Sequence, residues 1–219
     1  MILIDPLHLA IALGPVAAYL FVLGIINLSS RPLLTTGARD AAALAIAMGG
    51  MVVAGPMELF LVEEAAVLYD GWVWVIMLAA YALTVVLVIL LLQPRLVVYN
   101  ITLEQLRPLL ADVVARLDSD ARWAGESLVM PQMGVQLHLE TLPLVQNVQL
   151  VASGLDQNIL GWKRLEIELA TTLRKSRAPR NPLGVVAIGL ALLIAAGITF
   201  VLARDPSGVM QAMNEMLRR

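Results

Sequence analysis

Four stretches of this chain run too long without charge to belong to a water-soluble domain. Residues 6–30, between Asp5 and Arg31, contain no Asp, Glu, Lys or Arg. The same holds for residues 71–94, between Asp70 and Arg95, and for residues 181–203, between Arg180 and Arg204. A further run from Ala41 to about Val62 carries a single charge, Glu58. A helix needs about 20 apolar residues to cross the hydrocarbon core of a bilayer. It also satisfies its own backbone hydrogen bonds, as lipid requires. The sequence therefore predicts four transmembrane helices. Composition agrees, with 59% of the 219 residues hydrophobic and 15% charged, against roughly 45–50% and about 25% in a soluble domain. A disordered chain and a collagen-like repeat are excluded. The net charge of −2 provides no basic field for nucleic acid. The chain has no cysteine, hence no disulfide framework, thiolate metal site or cysteine nucleophile.

Met1–Asp5 lacks the basic n-region of a secretory signal, so the first run is expected to stay as a span. Orientation follows from the basic residues. The loop Ser29–Asp40 carries Arg31 and Arg39, and residues 95–180 carry ten more. The loop Glu63–Asp70 carries only Glu63, Glu64 and Asp70. The positive-inside rule then places twelve of the fifteen basic residues in the cytoplasm. Both termini and the acidic loop face out, with Arg204, Arg218 and Arg219 in the tail as the exceptions. Tyr69, Trp72 and Trp74 fit an outer aromatic belt. The expected location is a bacterial-type inner membrane.

Residues 95–180 read as a folded module between the third and fourth spans. Leu96–Ile101 is rich in β-formers. Thr102-Leu-Glu-Gln105 matches a capping box, and Leu103, Leu106, Leu109, Leu110, Val113, Val114 and Leu117 follow at helical spacing. Pro108 removes one early backbone hydrogen bond, so a bend or irregular first turn is expected there. Trp123–Met130 reads as one strand. Val135–Glu140 alternates, with Val135, Leu137 and Leu139 facing a core, and Asn147–Ser153 is a further strand. Ile159 to about Lys175 is a helix that buries Trp162, Leu165, Leu169 and Leu173. The expected fold is thus a four-helix membrane region plus a small α+β cytoplasmic module of order β-α-β-β-β-α, its two helices on one sheet face. The divisions are residues 1–94, 95–180, 181–203, and a short polar tail, 204–219.

Glu58 is the most unusual side chain, because a carboxyl within a span is a functional-site candidate by default. It follows Gly55-Pro56, where a proline frees a carbonyl and kinks a helix. His8 lies at a similar depth in the first span, and a His8–Glu58 pair would relay a proton or hold a cation. The plainer reading is that Glu58 snorkels to the outer headgroups or caps a broken helix. Arg31, Arg39 and Asp40 flank the short inner loop. They would bind a lipid phosphate, dock the module, or simply anchor the topology. Arg174, Lys175, Arg177 and Arg180 form a basic cluster suited to anionic lipid, at about 1 kcal/mol per residue, or to flanking the span. Gln136, His138 and Glu140 share a strand face but are too few for a catalytic zinc site, which takes three protein ligands. Asn100-Ile-Thr102 is formally a glycosylation sequon, without meaning on a cytoplasmic module.

No nucleotide-binding, hydrolase or metalloprotease motif is present, so no catalytic residue, metal or cofactor is expected. Gly49-Gly50, with Ala187, Ala191 and Ala195 at i,i+4 spacing, reads as helix-packing surface, for this chain's own helices or for a homo-oligomer. The expected function is a non-enzymatic adaptor, assembly or regulatory subunit whose module docks a protein partner. A small transporter or ion-handling subunit centred on Glu58 is the alternative, and a membrane enzyme without a recognisable motif ranks third. Topology is open to direct test in a chain without cysteine. A cysteine introduced at Ala66 is expected to react with an impermeant reagent from outside intact cells, and one at Asp156 to stay unlabelled. The reverse pattern would invert the orientation.

Overall fold

The computed structural model describes residues 6–57, 72–142, 146–154 and 157–218. The candidate Glu58, with Glu63, Glu64, Tyr69 and Asp70, lies outside the described residues. The chain divides into two compact units. One comprises Met1–Leu23, Ala41–Leu90 and Val186–Arg219, the other Gly24–Asp40 and Leu91–Val185.

The first unit is built from long apolar helices, α1 (Pro6–Leu28), α2 (Gly37–Val52), α3 (Trp72–Leu91) and α6 (Leu183–Arg204), and ends in a further helix, α7 (Pro206–Arg218). Four of them, taking α2 on to Met57, are long and apolar enough to cross a membrane by length and composition. They fall where the sequence placed its four runs, with α2 starting four residues earlier than Ala41. At Val53–Met57 α2 widens into a π-helical turn that contains Pro56. A proline has no N–H to donate and its ring crowds the carbonyl four residues back, so a widened turn is one way to carry it.

Pro15 sits inside α1 and leaves the carbonyl of Ile11 without its intrahelical donor. Gly50 of α2 lies against that carbonyl, where a Cβ would collide with the Ile11 backbone and with Pro15. Only a glycine permits this approach, the small-residue packing expected from the sequence. Tyr81 of α3 donates its hydroxyl to the carbonyl of Ala45 at 2.7 Å. Ala191, expected on a packing face, is buried, while Ala187 is half-buried and Ala195 exposed.

The second unit is an antiparallel sheet of six strands covered by two helices. Its elements are β1 (Leu33–Thr36), β2 (Arg95–Tyr99), α4 (Leu103–Leu117), β3 (Arg122–Ala124), β4 (Ser127–Met130), β5 (Val135–Leu142), β6 (Asn147–Ala152) and α5 (Ile159–Lys175). The sheet order is β1-β2-β6-β5-β4-β3. The core joins Leu96, Val98, Leu128, Met130, Leu137, Leu139, Val148 and Leu150 from the sheet to Leu106, Leu110 and Val113 of α4 and Trp162, Leu165, Leu169 and Leu173 of α5. The capping box forms, with Gln105 Oε1 accepting from Thr102 N at 3.3 Å. α4 continues through Pro108, which is exposed. Asn158 caps α5 by accepting from Leu160 N and Gly161 N.

Two features correct the expected order β-α-β-β-β-α. Trp123–Met130 is a hairpin and not one strand: Ala124 pairs with Ser127 across Gly125-Glu126. Gly125 has φ +64, the positive first turn position that a type II′ hairpin requires and glycine supplies. The sheet also gains β1 from outside residues 95–180. Leu33–Thr36, expected as plain loop, pairs along its whole length with β2. The segment read as a polar tail forms the helix α7, whose i,i+3 apolar spacing is short and rich in methionine.

Leu139 is 1% exposed, opposite Leu150. Leu139→Ala is expected to destabilise the full chain in mild detergent by about 2–5 kcal/mol, read from its unfolding transition. His138→Ala, on the other face, should cost less than about 1 kcal/mol. Gly50→Ala should cost about 1–3 kcal/mol through overpacking against backbone.

Candidate functional site

The residues that surround β1 form the most specific polar arrangement among the described residues. Thr36 ends the strand and also caps α2, its Oγ1 accepting from Arg39 N at 3.3 Å. Strand and helix therefore join without a loop, which fixes where Arg39 and Asp40 emerge. Asp40, in the first turn of α2, favours the positive helix end and accepts the hydroxyl proton of Tyr99 from β2. Arg39 reaches α5, where Nη1 meets Glu166 Oε1 at 3.3 Å. The Arg95 side chain lies across Gly37, where a Cβ would collide with it.

On the other side of β1 the chain is held by backbone bonds. Ala178 N donates to Ser30 O and Asn181 N to Asn27 O, both at 3.0 Å. Asn181 Oδ1 in turn accepts from Leu183 N and opens α6. Asn100 completes the clamp. It is fully buried, holds a left-handed φ of +59, and donates Nδ2 to Ser29 O. Asparagine is one of the few residues that tolerate that conformation.

Arg39 and Asp40, weighed for lipid binding, docking or topology anchoring, contact Glu166 and Tyr99 respectively. Arg31 is exposed and Arg39 largely so. Arg174, Lys175, Arg177 and Arg180 are all exposed, at the end of α5 and in the segment that follows. His8 is half-buried in α1. The proposed His8–Glu58 pair falls outside what the structure describes, because Glu58 does. His138, read as solvated, is half-buried, with Nδ1 3.1 Å from Ser127 Oγ across the β4–β5 pair. Among the described residues no three metal-binding side chains cluster.

Sequence reasoning missed Tyr99, Asn100, Asn27, Asn181 and Glu166. The one available signal was Leu33-Leu34-Thr35-Thr36 followed by Gly-Ala-Arg-Asp, a short β-prone run ending on a helix cap. Setting aside the Asn100 sequon match left Asn100 without a role, and nothing local marks it as a buried anchor.

The outward face of α5 is the other distinctive surface of this unit. Ile159, Leu160 and Ile167 are 75%, 70% and 57% exposed, interleaved with exposed Lys163 and Arg164. A cleft of about 450 Å³ beside it is lined by Arg116, Glu168, Thr171, Thr172 and Lys175 among others. Comparison with protein-family models, characterised proteins and solved structures gives no match.

The clamp and the ion pair should separate energetically. Arg39→Ala removes a largely exposed pair and should cost at most about 1 kcal/mol. Asn100→Ala leaves Ser29 O without its donor and strains a positive φ, so about 1–3 kcal/mol should be lost. Unfolding of both variants in detergent provides the comparison.

Proposed function

We propose that the protein is a multi-pass membrane adaptor or regulatory subunit, non-enzymatic, whose α+β module docks a protein partner on the cytoplasmic side of a bacterial-type inner membrane. The observation that carries the reading is the outer face of α5. Leu160 and Ile167 stand exposed on the side of the helix opposite buried Trp162, Leu165, Leu169 and Leu173, and Ile159 is exposed in its first turn. Scattered apolar residues are ordinary on a surface. A stripe along one helix, rimmed by Lys163 and Arg164, is the pattern of a docking surface. Its rim is mixed, with Lys163 and Arg164 beside exposed Glu168, so the aliphatic side chains set what docks there more than net charge does.

The clamp supports the same reading. A docking module gains from being ordered before its partner arrives, because less freedom is then lost on binding. The hydrogen bonds from Asn100, Ala178 and Asn181 to residues 27–30 hold the entry of β1 as part of the folded unit. The basic residues Arg31, Arg174, Lys175, Arg177 and Arg180 fit the positive side of a membrane.

A photo-crosslinker at Leu160 or Ile167, in the full chain in native membranes, should give one discrete adduct. A crosslinker at exposed Glu104 of α4 should not. Ile167→Glu should abolish the adduct and stoichiometric co-purification while leaving the unfolding transition within about 0.5 kcal/mol of the parent. Identical, diffuse labelling at all three positions would reject the docking reading.

A further inference from the structure

Helix α7 has a construction that the docking function does not use. α6 ends at Arg204 and α7 begins at Pro206. Proline has no N–H with which to continue the α6 ladder, yet it suits the first position of a new helix. Asp205 caps that helix. Its Oδ1 accepts from Gly208 N at 2.9 Å and from Ser207 Oγ at 3.0 Å, and its carbonyl accepts from Val209 N at 3.2 Å. A second helix therefore starts where the apolar run stops, with one residue between them.

At about 100° per residue, Val209, Met210, Ala212 and Met213 fall on one side of α7, and Ser207, Gln211 and Asn214 on the other. Ala212 is buried and Val209 half-buried, while Met210 and Met213 remain 62% and 45% exposed. One edge of the apolar face is covered and the adjoining edge is bare.

We propose that this bare edge sits in the boundary between headgroups and acyl chains, with α7 lying in the plane of the bilayer as an interfacial helix. The proposal rests on the membrane reading of α6. Three observations favour lipid over a protein partner as the occupant. α6 is 22 residues long and apolar up to its last residue, Arg204, one bilayer crossing, so its end falls at an interface. The Arg204 guanidinium lies 5.9 Å from the centre of the Phe200 ring, a cation paired with an aromatic at the level where such side chains anchor. The bare residues are methionines, flexible enough to follow disordered acyl chains. Between Pro206 and Asn214 there is no charge. Burial of apolar surface drives the interaction, and anionic lipid is not required.

The test uses the full chain in nanodiscs, of phosphatidylcholine alone and with about one-third phosphatidylglycerol. Single cysteines carry a nitroxide at Met210, Gln211, Met213 and Asn214, and at Leu193 of α6 as a depth reference. Oxygen partitions into lipid and a nickel chelate into water. Leu193 should favour oxygen strongly. Met210 and Met213 should favour oxygen over nickel several-fold more than Gln211 and Asn214 do, equally in both lipids. Equal nickel access at all four α7 positions, with Leu193 still deep, overturns the proposal and leaves the membrane reading intact. Met210 and Met213 shielded from both reagents also overturns it, because protein then covers the face. Nickel access at Leu193 overturns the membrane reading itself, and the proposal with it.

Discussion

The pairing of β1 with β2 is the constraint on which the second unit depends. Four residues, Leu33–Thr36, form an edge strand in full register with Leu96–Tyr99. That pairing draws a connection between two apolar helices into a sheet whose other strands lie at least 59 positions further along the chain. Leu34 thereby reaches the core face beside Val98. A four-residue strand adds little by itself. Its position is secured by what surrounds it: the cap at Thr36, the Tyr99–Asp40 hydrogen bond and the buried Asn100.

These surrounding bonds differ in kind. Arg39–Glu166 pairs a largely exposed guanidinium with a half-buried carboxylate, and screening and side-chain entropy on the open side reduce its contribution. Asn100, by contrast, is buried, and a buried carbonyl without its donor carries a desolvation penalty. The rigidity of the clamp therefore comes from its buried and half-buried hydrogen bonds, and the Arg39 side chain is left at the surface. The sheet accordingly leaves α5 free to present one face to the core and the other outward.

The apolar unit shows a different economy of interactions. Where helices are apolar on all sides, hydrophobicity alone does not select a contact, so close packing decides it. Pro15 exposes the carbonyl of Ile11, and Gly50 provides the flat surface that fits against it. The proline that weakens one helix thus creates the place where another can approach.

The long charge-free runs determined the four apolar helices, because a bilayer-length stretch without charge has few other ways to fold. Period-two and period-3.6 patterns were enough to find the β5 strand and both module helices, down to the buried stripe Trp162, Leu165, Leu169 and Leu173. Those signals are local, and each residue carries its own evidence. What tertiary structure alone decided is non-local or rests on one backbone angle. Gly125 split one apparent strand into a hairpin through a single positive φ. Leu33–Thr36 is too short to declare itself a strand until β2 lies beside it. Asn100 has no evident role in the sequence until the fold buries it against Ser29. The sequence by itself determined which segments form long apolar helices and which alternate around a core, since both follow from side-chain hydrophobicity. Only the tertiary structure decided that the first loop belongs to the module, because backbone pairing between distant segments leaves almost no trace in either of them alone.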